Sequence, residues 1–573
     1  MAPVNKETDL KKGEDGTDVN KKAPLIKRIR DYKLYPRAHE ANISVRDPSI
    51  RTSRVALLRA AAKNFVILQT LFFALFCYIF GGLYRQNSLT KNLNVVFVDY
   101  DGGVIGEAVR SAYGQLQGGS FPTLQEKLPA EYPDPSALRE EVCRIRSWGA
   151  LYIRPGSSDA VQKALAGGPE YDHEDIMAYV WNEARYSAIA DSGVSANMQL
   201  LSNTARSAFA AQTNWTSIIR SPSENTYATF ASPWTLVSDN IQPTTQGTRL
   251  VYNTLVVILL MIQEFFYLGT LNQLYDIFKI YRSLNPHRII VFRNLISLSY
   301  CFIGSLSVTG AIWIFKTGWH VNGNQFVLTW MVLWLFAHLN FLTLDVFTVW
   351  LPPPFVPMAL ITWLMFNVTS ILVPFELMSD FYLWSYVMPA HEVYNTLVDI
   401  WSSGCNPVLR YSLPILFAIE ISSFILSALG IHRRCHYAIV AAEAEQRAAN
   451  DRLEAALAFD RKKRREEKEK LVHAATTLTS GQRGVNGDIV EDIGRTSGEI
   501  KAAAAEDAED REELSSLFSD DRKRLAAIPN YGFGPSFGFG LTSGNIGKEE
   551  DGGELQRRRT FAGLGSRRRA SIV

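Results

Sequence analysis

The chain has 573 residues, 47% of them hydrophobic, with 59 Lys and Arg against 57 Asp and Glu and a net charge of +2. This balance gives no sign of a nucleic-acid partner, and only local charge clusters carry information. The five cysteines (Cys77, Cys143, Cys301, Cys405 and Cys435) form no CxxC or metal-ligand spacing, so no metal or cofactor is expected.

Residues 1–63 mix Lys, Asp, Gly and Pro without helical periodicity, the composition of a disordered cytosolic N-terminus. The basic stretch 21–37 either lies against anionic headgroups, each charge adding about 1 kcal/mol near the surface, or only fixes orientation. The apolar run 65–83 (FVILQTLFFALFCYIFGGL) follows too much polar sequence to be a cleaved signal. It is read as an uncleaved anchor, transmembrane helix 1, at 64–84.

The segment 85–249 is long enough to hold its own core. It opens with a buried-strand pattern at 94–98 and the turn Asp99-Tyr100-Asp101-Gly102-Gly103, then a helix over 104–117. Further strands are predicted at 149–153 and 176–181, and helices at 157–166 and 186–212. Such alternation argues for a small exoplasmic α/β domain. Within it, Asn214-Trp215-Thr216 is a glycosylation sequon.

Five apolar runs follow, at 250–271, 292–315, 326–350, 355–375 and 412–431. Each is close to the roughly 20 residues a helix needs to cross hydrocarbon. Threading six spans puts three basic sets on one side. They are the arginines and lysines before span one, Lys279, Arg282, Arg288 and Arg293 between spans two and three, and Arg433 and Arg434 after span six. Both termini are therefore expected in the cytosol. The fold class is an α-helical polytopic membrane protein of six transmembrane helices, with the α/β domain inserted between helices 1 and 2.

Polar residues within the five-helix block, 250–431, fall into stripes. Asn253 and Glu264 are eleven apart, almost three turns, and share a face; His338 and Asp345, seven apart, share another. Glu420, Ser423 and Ser427 make a third stripe, and Ser297, Cys301, Ser305 and Thr309 form a small-residue ridge suited to close packing. Ionisable groups inside a membrane usually face the bundle interior or a water-filled path. Asn253, Glu264, His338, Asp345 and Glu420 are thus candidate substrate-path residues. For Glu264 and Asp345, placed toward the cytosolic ends of their spans, a structural role as partners of Lys279, Arg282 or Arg293 stays open, and for Asp345 it is the favoured reading.

The segment 375–411 is aromatic and semi-apolar but carries Glu376, Asp380, His391, Glu392 and Asp399, too many to cross a membrane. An interfacial or re-entrant hairpin at the outer surface is expected there, with Glu376, His391 and Glu392 as candidate outer-site residues. Cys143 and Cys405 share the outer side but lie in separate segments, which speaks against a disulfide rather than for one. After the last span, 432–475 reads as a solvated charged helix and 476–573 as a disordered tail. Thr560 and Ser571 there follow arginine clusters at the spacing basophilic kinases read. A switch by phosphate beside those arginines is one reading; chance occurrence is the other. No GxxxxGK[ST], HExxH, GxSxG or kinase signature is present, so no catalytic residues and no enzyme activity are expected.

The plan of one span, an α/β domain and five spans with an outer hairpin before the last resembles the ABC-2-type permease superfamily, in its phage-infection-protein branch. Asn94-Val95-Val96-Phe97-Val98-Asp99-Tyr100-Asp101-Gly102-Gly103 and Trp148-Gly149-Ala150-Leu151-Tyr152-Ile153-Arg154-Pro155 carry that likeness. More narrowly, Phe375-Glu376-Leu377, Phe381-Tyr382-Leu383-Trp384, Pro389-Ala390-His391-Glu392 and Asp399-Ile400-Trp401-Ser402-Ser403-Gly404 resemble the fungal nitrosoguanidine-resistance family. The resemblance covers residues 60–435. It implies a plasma-membrane protein linked to drug resistance, an export permease for small molecules, with an influence on lipid distribution. ABC-2 permeases work with an ATPase, and none is fused here. Expected partners are membrane lipids, a small-molecule substrate, a second copy of the chain and a kinase acting on the tail. The competing class is a non-transporting scaffold or regulator of membrane lipid distribution.

Overall fold

The computed structural model describes residues 47–212, 224–244, 249–316, 319–352 and 355–479. Asn214, Thr560, Ser571 and the basic stretch 21–37 lie outside the described residues. The chain divides into two compact units, the first ending at Phe73 and the second beginning at Ala74. In the first, Asp47 accepts a hydrogen bond from Ser49 N at 2.9 Å and caps a short turn, Pro48–Ile50, that opens helix α1, Arg51–Gly82. The helix starts well before the apolar run because 51–64 is rich in Ala, Leu and Arg, all strong helix formers.

In the second unit the α/β domain runs β1 (Asn94–Asp99), α2 (Val104–Leu116), β2 (Thr123–Lys127), α3 (Pro135–Cys143), β3 (Gly149–Ile153), α4 (Ser157–Leu165), β4 (Met177–Trp181), α5 (Ala196–Gln212), α6 (Glu224–Ala231) and β5 (Leu236–Asn240). The sheet order is β2-β1-β3-β4-β5, parallel except between β3 and β4. The three strands expected from sequence are the inner ones. They are covered on both faces, so they read as unbroken apolar runs. One face packs Val95, Phe97, Leu151 and Ile153 with Ile105, Val109, Met198 and Leu201; the other packs Val96, Val98, Ala150 and Val180 with Leu138 and Val142 of α3. The strands not foreseen, β2 (TLQEK) and β5 (LVSDN), are the two edges, half-exposed and therefore polar. The helix expected from 186 begins instead with Tyr186 in the left-handed region (φ 55°) and a π-helical stretch, Ala190–Ser195.

Five helices among the described residues are long and apolar enough to cross a membrane. They are α1, α7 (Arg249–Ile277), α8 (Pro286–Ile314), α9 (Gly323–Trp350) and, after two shorter helices, α12 (Leu409–Thr479). The shorter ones are α10 (Val356–Leu372), apolar but only 17 residues long, and α11 (Pro389–Trp401). The expected last span and the charged helix after it are one uninterrupted helix, because Ala, Glu, Arg and Lys continue the helical preference past the apolar run.

Contacts give the helix directions. Partners on α8 and α9 run in opposite order (Arg293 with Asp345, Ser297 with His338, Phe302 with Trp330), so the two are antiparallel. Partners on α9 and α12 rise together (His338 with Glu420, Thr343 with Ser423, Asp345 with Ser427), so these are parallel. Gly430 lets them approach: a Cβ there would meet Val349 Cγ1 at 2.8 Å. The chain between two parallel neighbours must return, and the shorter apolar helix α10 lies within that stretch.

The segment 375–411 is packed into the rest of its unit. After two 3-10 turns, Phe375–Leu377 and Asp380–Val387, helix α11 is buried along most of its length. Gln325 Nε2 donates to the carbonyl of Ile400 at 2.8 Å, and Trp401 Nε1 to Thr329 at 3.1 Å. The turns also meet the end of α1: Tyr382 donates to the Tyr78 carbonyl at 2.6 Å, beside Gly81, where a side chain would strike the Tyr382 hydroxyl.

Candidate functional site

The three polar stripes meet in one ladder. On α12, Glu420 Oε1 lies 2.5 Å from His338 Nδ1, Ser423 bonds Thr343 at 3.0 Å and Ser427 donates to Asp345 Oδ2 at 2.6 Å. Three- and four-residue steps on one helix thus find their partners on its parallel neighbour. The ridge of α8 closes the third side: Ser297, Cys301, Ser305 and Thr309 are fully buried. Ser297 Oγ lies 3.2 Å from His338 Nε2, and Cys301 Sγ 3.2 Å from Glu264 Oε2 on α7.

At one end of the ladder, Asp345 holds two arginines. Arg293 and Arg434 donate to the same Oδ1 at 2.7 and 2.8 Å, and all three side chains are 7% exposed or less. Asn272 Oδ1 accepts from both guanidinium groups, and Tyr281 Oη from both as well. Four helices and the 280–283 turn are joined here. This makes Asp345 a structural anion, with Arg293, one of the three expected cations, and the unforeseen Arg434. The signal for Arg434 was its place in the basic set directly after the last apolar run, read only as orientation.

Glu264 is less well provided for. It is fully buried, near the middle of α7 rather than at its end, because that helix continues to Ile277. Its Oε1 and Glu420 Oε2 have no hydrogen-bond partner among the described residues. Asn253 shares the helix, but its side chain lies outside the described residues, so its pairing with Glu264 on one face stays an expectation from spacing.

The outer residues join the α/β domain to 375–406. The Arg185 guanidinium stacks 3.7 Å from the Trp148 ring centroid and pairs with Glu376 at 3.4 Å, while Trp148 Nε1 donates to Glu376 at 3.3 Å. Burial lowers the Arg185 pKa, opposed by Glu376. Tyr394 accepts from Tyr186 N at 3.0 Å, and burial raises both tyrosines. Contrary to the sequence expectation, Cys143 and Cys405 form a disulfide. The fold brings the end of α3 to the loop after α11, a proximity that a sequence separation of 262 conceals. Near it, Asn182 donates to the Cys405 carbonyl at 3.2 Å. His391 is neutral and satisfied at both nitrogens, at 3.2 Å from the Ser370 carbonyl and 2.8 Å from Asn395 Nδ2, and burial brings its pKa down to about 4. Burial raises Glu392 and Asp399. His391 and Glu392 thus sit within packed structure, and Glu376 contacts the α/β domain directly.

Among the described residues no group of His, Cys, Asp and Glu is placed to hold a metal ion. The fold is therefore defined by helices of membrane-crossing length and apolarity, an inserted α/β domain tied to the segment before the last long helix, and a buried polar ladder. The chain belongs to the family described as a protein of unknown function, DUF3533, whose model matches residues 64–425. That match takes in Glu264, His338, Asp345 and Glu420 and ends before Ser427 and Arg434.

Proposed function

We propose that this is a plasma-membrane permease, of the ABC-2-like and nitrosoguanidine-resistance type, that moves toxic small molecules outward. The observation that carries the reading is the row of polar groups from Glu264 through His338 and Glu420 to Asp345, all but Glu420 fully or nearly fully buried. Such groups are expensive in a membrane and are retained where a path or a relay needs them. In this reading α10 is the sixth crossing, both termini are cytosolic, and the α/β domain is exoplasmic. Glu264, His338 and Glu420 face the path, and Asp345 braces it. Accumulation of nitrosoguanidine and of a fluorescent amphiphile in deletion and overexpressing cells tests this. Deletion should raise accumulation and overexpression lower it. Glu264→Gln should lose resistance at normal abundance; full resistance would remove Glu264 from the path.

A second reading, a non-transporting regulator of lipid distribution, is favoured by the ion network around Asp345 and the Cys143–Cys405 link, which brace the helices and the α/β domain. Unchanged uptake and efflux with altered lipid exposure at the cell surface would select it.

A further inference from the structure

His338 is held between two groups that allow it two complete hydrogen-bonding arrangements. Ser297 has one hydroxyl hydrogen and two acceptors in reach, the Asn294 carbonyl at 3.0 Å and His338 Nε2 at 3.2 Å. When the hydroxyl turns to the carbonyl, Nε2 must carry hydrogen and donate to the serine oxygen. Nδ1 and Glu420 Oε1, 2.5 Å apart, then need a second proton between them. When the hydroxyl turns to Nε2, that nitrogen accepts, and Nδ1–H donates to an ionised Glu420. The two arrangements differ by one proton, and neither leaves a ring nitrogen unpaired. A rotating hydroxyl therefore lets the imidazole–carboxyl pair take up and release a proton with both ring nitrogens paired throughout.

The surroundings fit this. The Glu420 side chain is 17% exposed, while its Oε2 is buried without a hydrogen-bond partner among the described residues, the acceptor position a further proton would occupy. Cys301 lies one helical turn from Ser297 and donates to Glu264 Oε2, and Glu264 Oε1 has no partner among the described residues. The other titratable groups nearby are Tyr267 on α7, Tyr300 on α8 and Glu392 on α11, which packs against α12. The buried arginines Arg293 and Arg434 are engaged by Asp345, and no Lys or Arg is ion-paired with Glu264 or Glu420 among the described residues.

We infer that His338 and Glu420, switched by Ser297, form a proton-binding site, with Glu264 as the next carboxyl along the row. The inference rests on the permease reading for its use: a bound proton would supply coupling to export without an ATPase. The ligand is the proton itself, so the site can be tested without a transported substrate.

The test is infrared difference spectroscopy of the purified full-length chain in liposomes across a pH titration. A carboxylic-acid C=O band should grow on acidification, and Glu420→Gln should abolish it. Glu420→Asp, which keeps the carboxyl, should show a displaced band at normal abundance and separates loss of the site from loss of the fold. His338→Gln should displace the midpoint of the same band. A spectrum in which no titrating carboxyl responds to Glu420 or His338 overturns the inference whether or not export occurs. So does a band that moves with sodium replaced by choline but not with pH. A second measurement follows rhodamine 6G efflux from cells. A titrating band with efflux no faster than in cells lacking the chain would sink the permease reading and leave the proton site standing. Efflux that survives a protonophore unchanged would overturn the coupling.

Discussion

Replacing Asp345 with Asn keeps the side-chain shape and removes the carboxylate that pairs with both Arg293 and Arg434. Both guanidinium groups are buried, 1% and 7% exposed, and both donate to Oδ1. Breaking a buried pair by removing one partner costs about 3–5 kcal/mol, and here one removal leaves two like charges side by side. Against a total stability of about 5–15 kcal/mol, Asp345→Asn should sharply reduce abundance and lower the unfolding temperature of the detergent-solubilised full chain. The triple variant Asp345→Leu, Arg293→Met, Arg434→Met should recover most of that loss, since an apolar replacement of similar volume leaves no charge stranded. Asn272 and Tyr281 would each lose donors, so recovery should be incomplete. Asp345→Asn accumulating and melting like the natural chain would refute the view that this network braces the bundle.

Cys143→Ser, Cys405→Ser and the double variant should each destabilise the α/β domain's attachment by the same amount, about 2–5 kcal/mol. Limited proteolysis would read this, and a double variant clearly worse than either single one would contradict the pairing. His391, with a pKa of about 4 against an ordinary 6.5, is charged more readily when unfolded, so its contribution to stability is lost as pH falls from about 6.5 to about 4, on the order of 3 kcal/mol at full extent. Glu392 and Asp399, both raised, act in the opposite sense, their contribution growing on acidification. Hydrogen exchange of 389–401 at the acid end of that window should therefore show more protection in His391→Gln than in the natural chain. Tags at either terminus should be protected from protease in intact cells and a tag in the α/β domain cleaved, with an endoglycosidase-sensitive glycan on Asn214; an externally exposed C-terminus would overturn the topology. Mass spectrometry should find phosphate on Thr560 and Ser571, and a fluorescent fusion of 476–573 should leave the membrane when both are changed to Asp; attachment identical in the Ala and Asp variants would end the switch idea.

What the sequence determined by itself was whatever is written in local periodicity. Long apolar runs marked α1, α7, α8, α9 and α12, since a helix must satisfy its own backbone in hydrocarbon and needs a fixed length to cross it. Unbroken apolar strands marked β1, β3 and β4, because a strand covered on both faces has no polar side to show. Helical spacing also put Ser297 and Cys301 on one face, His338 and Asp345 on another, and Glu420 with Ser427 on a third. Only the tertiary structure decided which stripe meets which. The parallel run of α9 and α12 delivers Glu420 to His338 and Ser427 to Asp345, and it made Arg434 a buried partner instead of a topological marker. The edge strands β2 and β5, the Arg185–Trp148–Glu376 contact and the Cys143–Cys405 bond were hidden for the same reason. Each depends on chain segments far apart in sequence meeting in space, and no local pattern of residues encodes that distance.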